Sequence, residues 1–141
     1  AFRNQAEVIM RNIPKISDAE WEIMKLIWRL NPITSEEIIA AIADKMSWSA
    51  QTIKTFINRL LKKGVIGYEK SGRSYIYYPL VSERDCIKAE SKSFLEKVYD
   101  GAVGMLFSNF IEEESLSEKE IEKLQDLLAK KKTQNSLLKK D

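Results

Sequence analysis

Residues Trp48–Gly64 read WSAQTIKTFINRLLKKG, and the segment is divided against itself. Ile53, Phe56, Ile57, Leu60 and Leu61 recur at i, i+3, i+4, i+7 and i+8, the apolar stripe of a helix packed on a core. Set against them are Gln51, Thr52, Thr55, Asn58, Arg59 and Lys62, and no carboxylate lies between Lys45 and Tyr68. A merely solvated helix face usually mixes Glu with Lys. On a wheel of 100° per residue, Gln51, Thr55, Asn58 and Lys62 fall opposite the stripe, with Thr52 and Arg59 on its flank. Short hydroxyl and amide side chains let a helix come close to a base edge, and Thr also offers a methyl to thymine. Arg and Lys supply phosphate or guanine contacts. The pattern implies a helix that lies against double-stranded DNA.

The neighbouring segments agree. Ser49 is placed to cap this helix, with Trp48 stapled to Ile53 and Thr52 where a capping box has Glu. The joint KMSW is as short as a helix-turn-helix needs, and the helix before it starts at a second box, Thr34 with Glu37. Ser17 with Glu20 starts the first helix, which Asn31-Pro32 ends. These signals predict helices near 17–30, 35–45 and 49–63. Gly64 closes the third, and VIGYEKSGRSYIYYPL follows as two β-branched and aromatic runs around KSGR. That predicts a hairpin with its tip at Lys70–Arg73, ended by Pro79, with Lys70 and Arg73 placed to reach an adjacent backbone or groove. Three helices followed by a hairpin predict a winged helix-turn-helix over residues 13–81. The DNA-binding set read from the residues themselves is therefore Gln51, Thr52, Thr55, Asn58, Arg59, Lys62, Lys70 and Arg73.

Beyond Val81 the pattern changes. Ile87, Phe94, Leu95, Val98, Ala102, Val103, Leu106, Phe107 and Phe110 recur at helical spacing, interrupted near Asp100-Gly101. Ser117 with Glu120 opens a further helix predicted over 117–132, whose stripe is Ile121, Leu124, Leu127 and Leu128. Two or three helices without a sheet cannot bury this much apolar surface alone. Residues 82–132 are thus expected to be a helical dimerisation domain built on Phe94, Leu95, Val98, Leu106, Phe107, Phe110, Ile121, Leu124 and Leu128. Residues 133–141 read as a frayed basic tail, and 1–12 as disordered or extraneous, since the first strong helix follows MRNIPKIS at Met10. The fold class is mainly α with a small β-hairpin: an N-terminal winged helix and C-terminal helices.

Composition narrows the function. The 141 residues are 44% hydrophobic and 31% charged, with a net charge of only +2. From Lys45 to Arg73, however, seven basic residues face one acid, Glu69, whereas Val81–Glu122 carries five basic and eleven acidic residues. One part attracts a polyanion and the other does not. The chain has no histidine and one cysteine, Cys86, which removes the usual general base and the commonest metal ligand and forbids a thiolate cluster. No phosphate-cradling glycine motif occurs among the five glycines. Neither a catalytic centre nor a metal or cofactor site is expected. No apolar run reaches the roughly 18–20 residues of a bilayer span, and a single cysteine fits a reducing, cytoplasmic setting. As a small residue on a helix, Cys86 reads more simply than as a redox sensor.

The chain resembles the penicillinase and methicillin-resistance repressors of Gram-positive bacteria. The matching segments are ISDAEWEIMKLIW (Ile16–Trp28), WSAQTIKTFINRLLKKG, GRSYIYYPLV (Gly72–Val81) and SNFIEEESLSEKEIEKL (Ser108–Leu124), within a similarity running from Ile13 to Lys132. The resemblance implies a dimeric repressor of β-lactam-resistance genes that binds palindromic operators. It also implies induction by proteolysis, triggered by a membrane sensor metalloprotease, with the cut between Asn109 and Phe110. By position it carries over Ser49, Gln51, Thr52, Lys54, Thr55 and Arg59 as recognition residues. Where these relatives commonly read Trp-Ser-Pro-Lys, this chain has Trp48-Ser49-Ala50-Gln51, losing a helix-start proline and a positive charge. A copper-responsive branch ends in paired cysteines, which are absent here. Two other readings of the same residues are a winged-helix module for an acidic protein partner, and a ligand-responsive regulator that is not cut.

Overall fold

The computed structural model describes residues 13–139. In chain order the elements are α1 (Asp18–Leu30), β1 (Ile33–Thr34), α2 (Ser35–Met46), α3 (Ala50–Lys63), β2 (Ile66–Ser71), β3 (Ser74–Pro79), α4 (Glu83–Tyr99), α5 (Val103–Glu113) and α6 (Glu118–Lys139). The chain divides into two compact units, Ala1–Phe94 and Leu95–Asp141.

In the first unit the helix starts are set by the predicted caps. The Ser17 hydroxyl accepts the Glu20 amide at 3.2 Å, and the Glu20 carboxylate accepts the Ser17 amide at 2.9 Å. The Thr34 hydroxyl accepts the Glu37 amide at 3.1 Å, and the Ser49 hydroxyl accepts that of Thr52 at 3.1 Å. Each cap supplies an acceptor to an amide that the first helical turn leaves unpaired. Gly64 closes α3 with φ +76, a left-handed conformation that costs a side-chain residue free energy. Ser47 takes the same role after α2, with φ 57.

The three strands form an antiparallel sheet in the order β1-β3-β2. Ile66 pairs with Pro79 and Ser71 with Ser74, leaving Gly72-Arg73 as a two-residue turn. Gly72 has φ +63 at the first central position, as a type II′ hairpin turn requires. The turn lies at the far end of the predicted tip, Lys70–Arg73, with Lys70 and Ser71 still in the ladder. The two-residue strand β1 is an addition to the sequence reading: Ile33 pairs with Tyr77 and Thr34 with Ile76. A strand this short has no period of its own and exists only because β3 lies beside it.

Ile23, Met24 and Ile27 of α1, Ile38 and Ile42 of α2, and Ile53, Ile57 and Leu60 of α3 meet in one core with Ile33, Val65, Ile66 and Tyr77. Phe56 and Leu61, expected in the buried stripe, are only partly buried at its edge. The core does not stop at Val81. Cys86, on α4, is 1% exposed within it, and the Trp28 indole N–H donates to the Val81 carbonyl at 3.0 Å. The first turns of α4 thus belong to the winged-helix core, and the first compact unit runs past the expected 81/82 junction to Phe94. Burial, with a smaller push from Asp85, drives the Cys86 thiol up to about 11. Such a thiol stays protonated near neutral pH, which leaves it a packing residue.

Glu20 is the buried acid of this core, 1% exposed, and it pairs with Lys63 at the end of α3. Lys63 also donates to the Lys15 carbonyl at 2.7 Å. Burial raises the Glu20 pKa, but the Lys63 ammonium and the Ser17 donors outweigh it, so the net shift is below the ordinary 4.5. A depressed carboxyl pKa stabilises the fold above 4.5, and that contribution is lost as pH falls through the lower folded value. Glu20→Gln is expected to cost about 1–2 kcal/mol at neutral pH, since Lys63 is partly exposed and can turn to water. Urea unfolding at descending pH checks this. The gap between variant and wild type should narrow below pH 4.5, and a gap independent of pH would assign the loss to packing alone.

The second unit holds the end of α4, a break at Asp100 (φ 50) and Gly101 (φ 82), and helices α5 and α6. Ser117 and Glu120 form the predicted capping box. The last helix runs to Lys139, not to 132, so residues 133–139 are helical where the sequence predicts a frayed tail. Ala129–Lys132 are good helix formers, and neither Gly nor Pro follows them to stop the helix. The expectations for residues 1–12 and for 140–141 lie outside the described residues.

Candidate nucleic-acid interface

α3 presents the two faces that its sequence implies. Ile53, Ile57 and Leu60 are buried at 0–1% exposure, while Gln51, Lys54, Asn58, Arg59 and Lys62 are exposed. No acid stands in its first turn, in contrast to α1 and α2. The Arg59 guanidinium lies 5.9 Å from the Phe56 ring centroid, and Phe56 in turn meets Trp48 edge-on at 5.1 Å. This stacking preorganises a planar fork of donors beside the helix.

Two threonines differ from the helical-wheel picture. The wheel faces Thr55 directly away from the core, yet it is half-buried, and its hydroxyl donates to the Gln51 carbonyl at 3.0 Å. Its methyl and its oxygen lone pairs remain for an incoming group. Thr52 is also half-buried, and its hydroxyl oxygen accepts from Ser49 at 2.9 Å. Ser49 is thereby engaged at both ends of its hydroxyl, capping α3 and holding Thr52. A wheel fixes azimuth and is blind to these local bonds, so the three hydroxyls look alike in sequence.

Lys62 and Lys63 are adjacent in sequence and opposite in circumstance. Lys62 is exposed, whereas Lys63 is held by Glu20, so one positive charge of the basic segment is neutralised internally. The two partners lie 43 residues apart, and no local pattern announces the pair. On the hairpin, Lys70 and Arg73 are both exposed, at and beside the tip. Tyr68 and Tyr75 form an exposed edge-to-face pair beside them, 5.4 Å between centroids, that the sequence reading misses. The strand register, with Lys70 opposite Tyr75, is the signal that could have found it.

Among the described residues no cluster of Asp, Glu, Cys or His could hold a metal ion, and no helix is long and apolar enough to cross a membrane. The penicillinase repressor family model matches residues 16–130, nearly the whole described chain. The chain belongs to the penicillinase repressor family. It is 41% identical to the penicillinase repressor of Bacillus licheniformis over 123 residues, covering 87% of this chain and 96% of that one. It is 44% identical to the methicillin resistance regulatory protein MecI of Staphylococcus aureus (strain N315) over 117 residues, 83% of this chain and 95% of that one. A solution structure of the DNA-binding domain of the repressor BlaI is 44% identical, with a TM-score of 0.49, covering 52% of this chain and 89% of that one. The repressor is thus a DNA-binding winged-helix protein and not an enzyme.

The repressor's residues marked for association, Phe94 at the end of the first unit and the others in the second, lie at the surface of the single chain. Phe94, Val98, Phe107, Phe110, Ile121, Leu124 and Leu128 are exposed by 37–64%, while Leu95 and Leu106 are half-buried. Neither α5 nor α6 contains a buried residue. The Asn109 amide donates to the Tyr99 hydroxyl at 3.0 Å, and Asn109-Phe110 sits inside α5.

Proposed function

We propose that the chain is a homodimeric repressor that binds a palindromic operator of β-lactam-resistance-type genes and is released by proteolysis at Asn109-Phe110. Supporting the DNA reading is one arrangement: an exposed, acid-free face of Gln51, Lys54, Asn58, Arg59 and Lys62, held rigid by the buried Ile53–Ile57–Leu60 stripe behind it. Ser49, Thr52 and Thr55 complete that face, the first two by fixing the start of α3 and the third by offering a methyl to a base edge. Lys70 and Arg73 at the hairpin turn reach a neighbouring phosphate backbone.

Dimerisation is supported by the exposed apolar surface of α5 and α6, which a monomer in water leaves uncovered. A two-fold dimer matches a palindromic site, one winged helix to each half. The inducing protease, a membrane metalloprotease in the family resemblance, meets a bond within a helix. Cutting it requires local unwinding of α5.

Titrations of an operator duplex and a random duplex across a salt series test the DNA face. Thr55→Ala should weaken operator binding by about 1–3 kcal/mol per contact and leave random DNA nearly unchanged, because Thr55 is uncharged. Lys62→Gln should weaken both alike and lower the salt slope by about one unit. Equal losses on both duplexes for Thr55→Ala would make it a positioning residue and not a reader of sequence.

A further inference from the structure

We infer that the Tyr68–Tyr75 pair is a DNA-contacting platform on the wing, its rings laid against deoxyribose and its phenol hydroxyls donated to phosphate oxygens. This rests on the DNA-binding reading above and extends it to two uncharged residues.

The hairpin register carries the inference. Tyr68 pairs with Tyr77 and Lys70 with Tyr75, so strand alternation puts Tyr68, Lys70, Tyr75 and Tyr77 on one face. The single acid of the hairpin, Glu69, pairs with Ile76 and belongs to the other face. Tyr77 anchors the aromatic face in the core at 8% exposure, whereas Tyr75 and Tyr68 are 44% and 55% exposed. Burial, and after it Glu36 of α2, raises the Tyr77 hydroxyl pKa, which places that acid's influence at the buried end of the row. Toward the tip the charges are Lys70 and Arg73, both basic.

Two tyrosines kept half in water forgo burial that a hairpin could give them. Their rings meet edge-on at 74°, a geometry that holds each in one orientation. Neither phenol hydroxyl makes a hydrogen bond among the described residues. The result is a rigid surface, apolar in body and donor-rich at its rim, next to two cations. It complements a sugar-phosphate backbone: rings for the sugars, hydroxyls and cations for the phosphates.

The test uses the intact chain and a random-sequence duplex, because backbone contacts do not depend on sequence. Tyr68→Ala and Tyr75→Ala should each weaken binding about five- to tenfold, the size of one lost hydrogen bond with its ring contact. Tyr68→Phe and Tyr75→Phe keep the rings and should lose about two- to threefold. In all four the slope of log affinity against log salt stays at the wild-type value, while Lys70→Gln lowers it by about one unit. Wild-type affinity in both Phe variants, together with lowered melting temperatures in both Ala variants, would overturn the platform and leave the pair as a brace of the hairpin. A wild-type chain that binds no duplex at low salt would overturn the DNA reading itself, an outcome visible before any tyrosine is changed.

Discussion

Residues 1–109, produced without the rest of the chain, are expected to bind a full two-half-site operator at least about 100-fold more weakly than the intact protein. The winged-helix core is complete within Ala1–Phe94, from Ile16 to Cys86, so the fragment keeps its fold and its DNA face. What it loses is Phe110, Ile111 and all of α6, including Ile121, Leu124 and Leu128. Linked subunits convert the second half-site contact into an intramolecular step, and separated subunits forfeit that effective concentration. Binding to an isolated half-site should therefore be nearly equal for the fragment and one subunit of the intact protein. Comparing both on one operator at fixed salt, with sedimentation for mass, checks the expectation. A fragment that stays dimeric and binds as tightly as the whole chain excludes cleavage at Asn109-Phe110 as the inducing step.

Leu124→Glu is expected to convert the protein to a monomer, and Leu106→Glu to do so with some local loss of order. Leu124 is 37% exposed in the single chain, so a carboxylate there costs little until a second copy covers it. Burying that charge against an apolar partner then costs several kcal/mol, and two-fold symmetry imposes the cost twice. Leu106 is half-buried within its own unit, so its substitution acts on α5 as well as on association. Operator affinity should drop on the order of 100-fold for Leu124→Glu, with the melting of the winged helix unchanged. If sedimentation finds both variants dimeric, these side chains serve the fold of one chain and the association surface lies elsewhere.

Caps and periodicity lie within a few residues of sequence, and that is the range over which local energies alone choose the conformation. Ser17 with Glu20, Thr34 with Glu37, Ser49 with Thr52 and Ser117 with Glu120 are legible because each pairs a side chain with an amide three residues on. Gly64 and the KSGR turn are legible because few residues tolerate their backbone angles. The apolar stripe of α3 and the acid-free set opposite it follow from helical period, and with them the class of partner.

Longer-range energies decided the rest. β1 exists because β3 offers it a ladder, and no property of Ile33 and Thr34 alone requires a strand. Lys63 counts as one more free charge of the basic segment until α1 brings Glu20 against it across 43 residues of chain. Cys86, beyond Val81, fills a core position that only the assembled helices create. Sequence determined the helices, the hairpin and the sign of the charge they present, since these depend on neighbours along the chain. Tertiary structure decided which of those charges are free to meet DNA, since that depends on partners that only folding brings together.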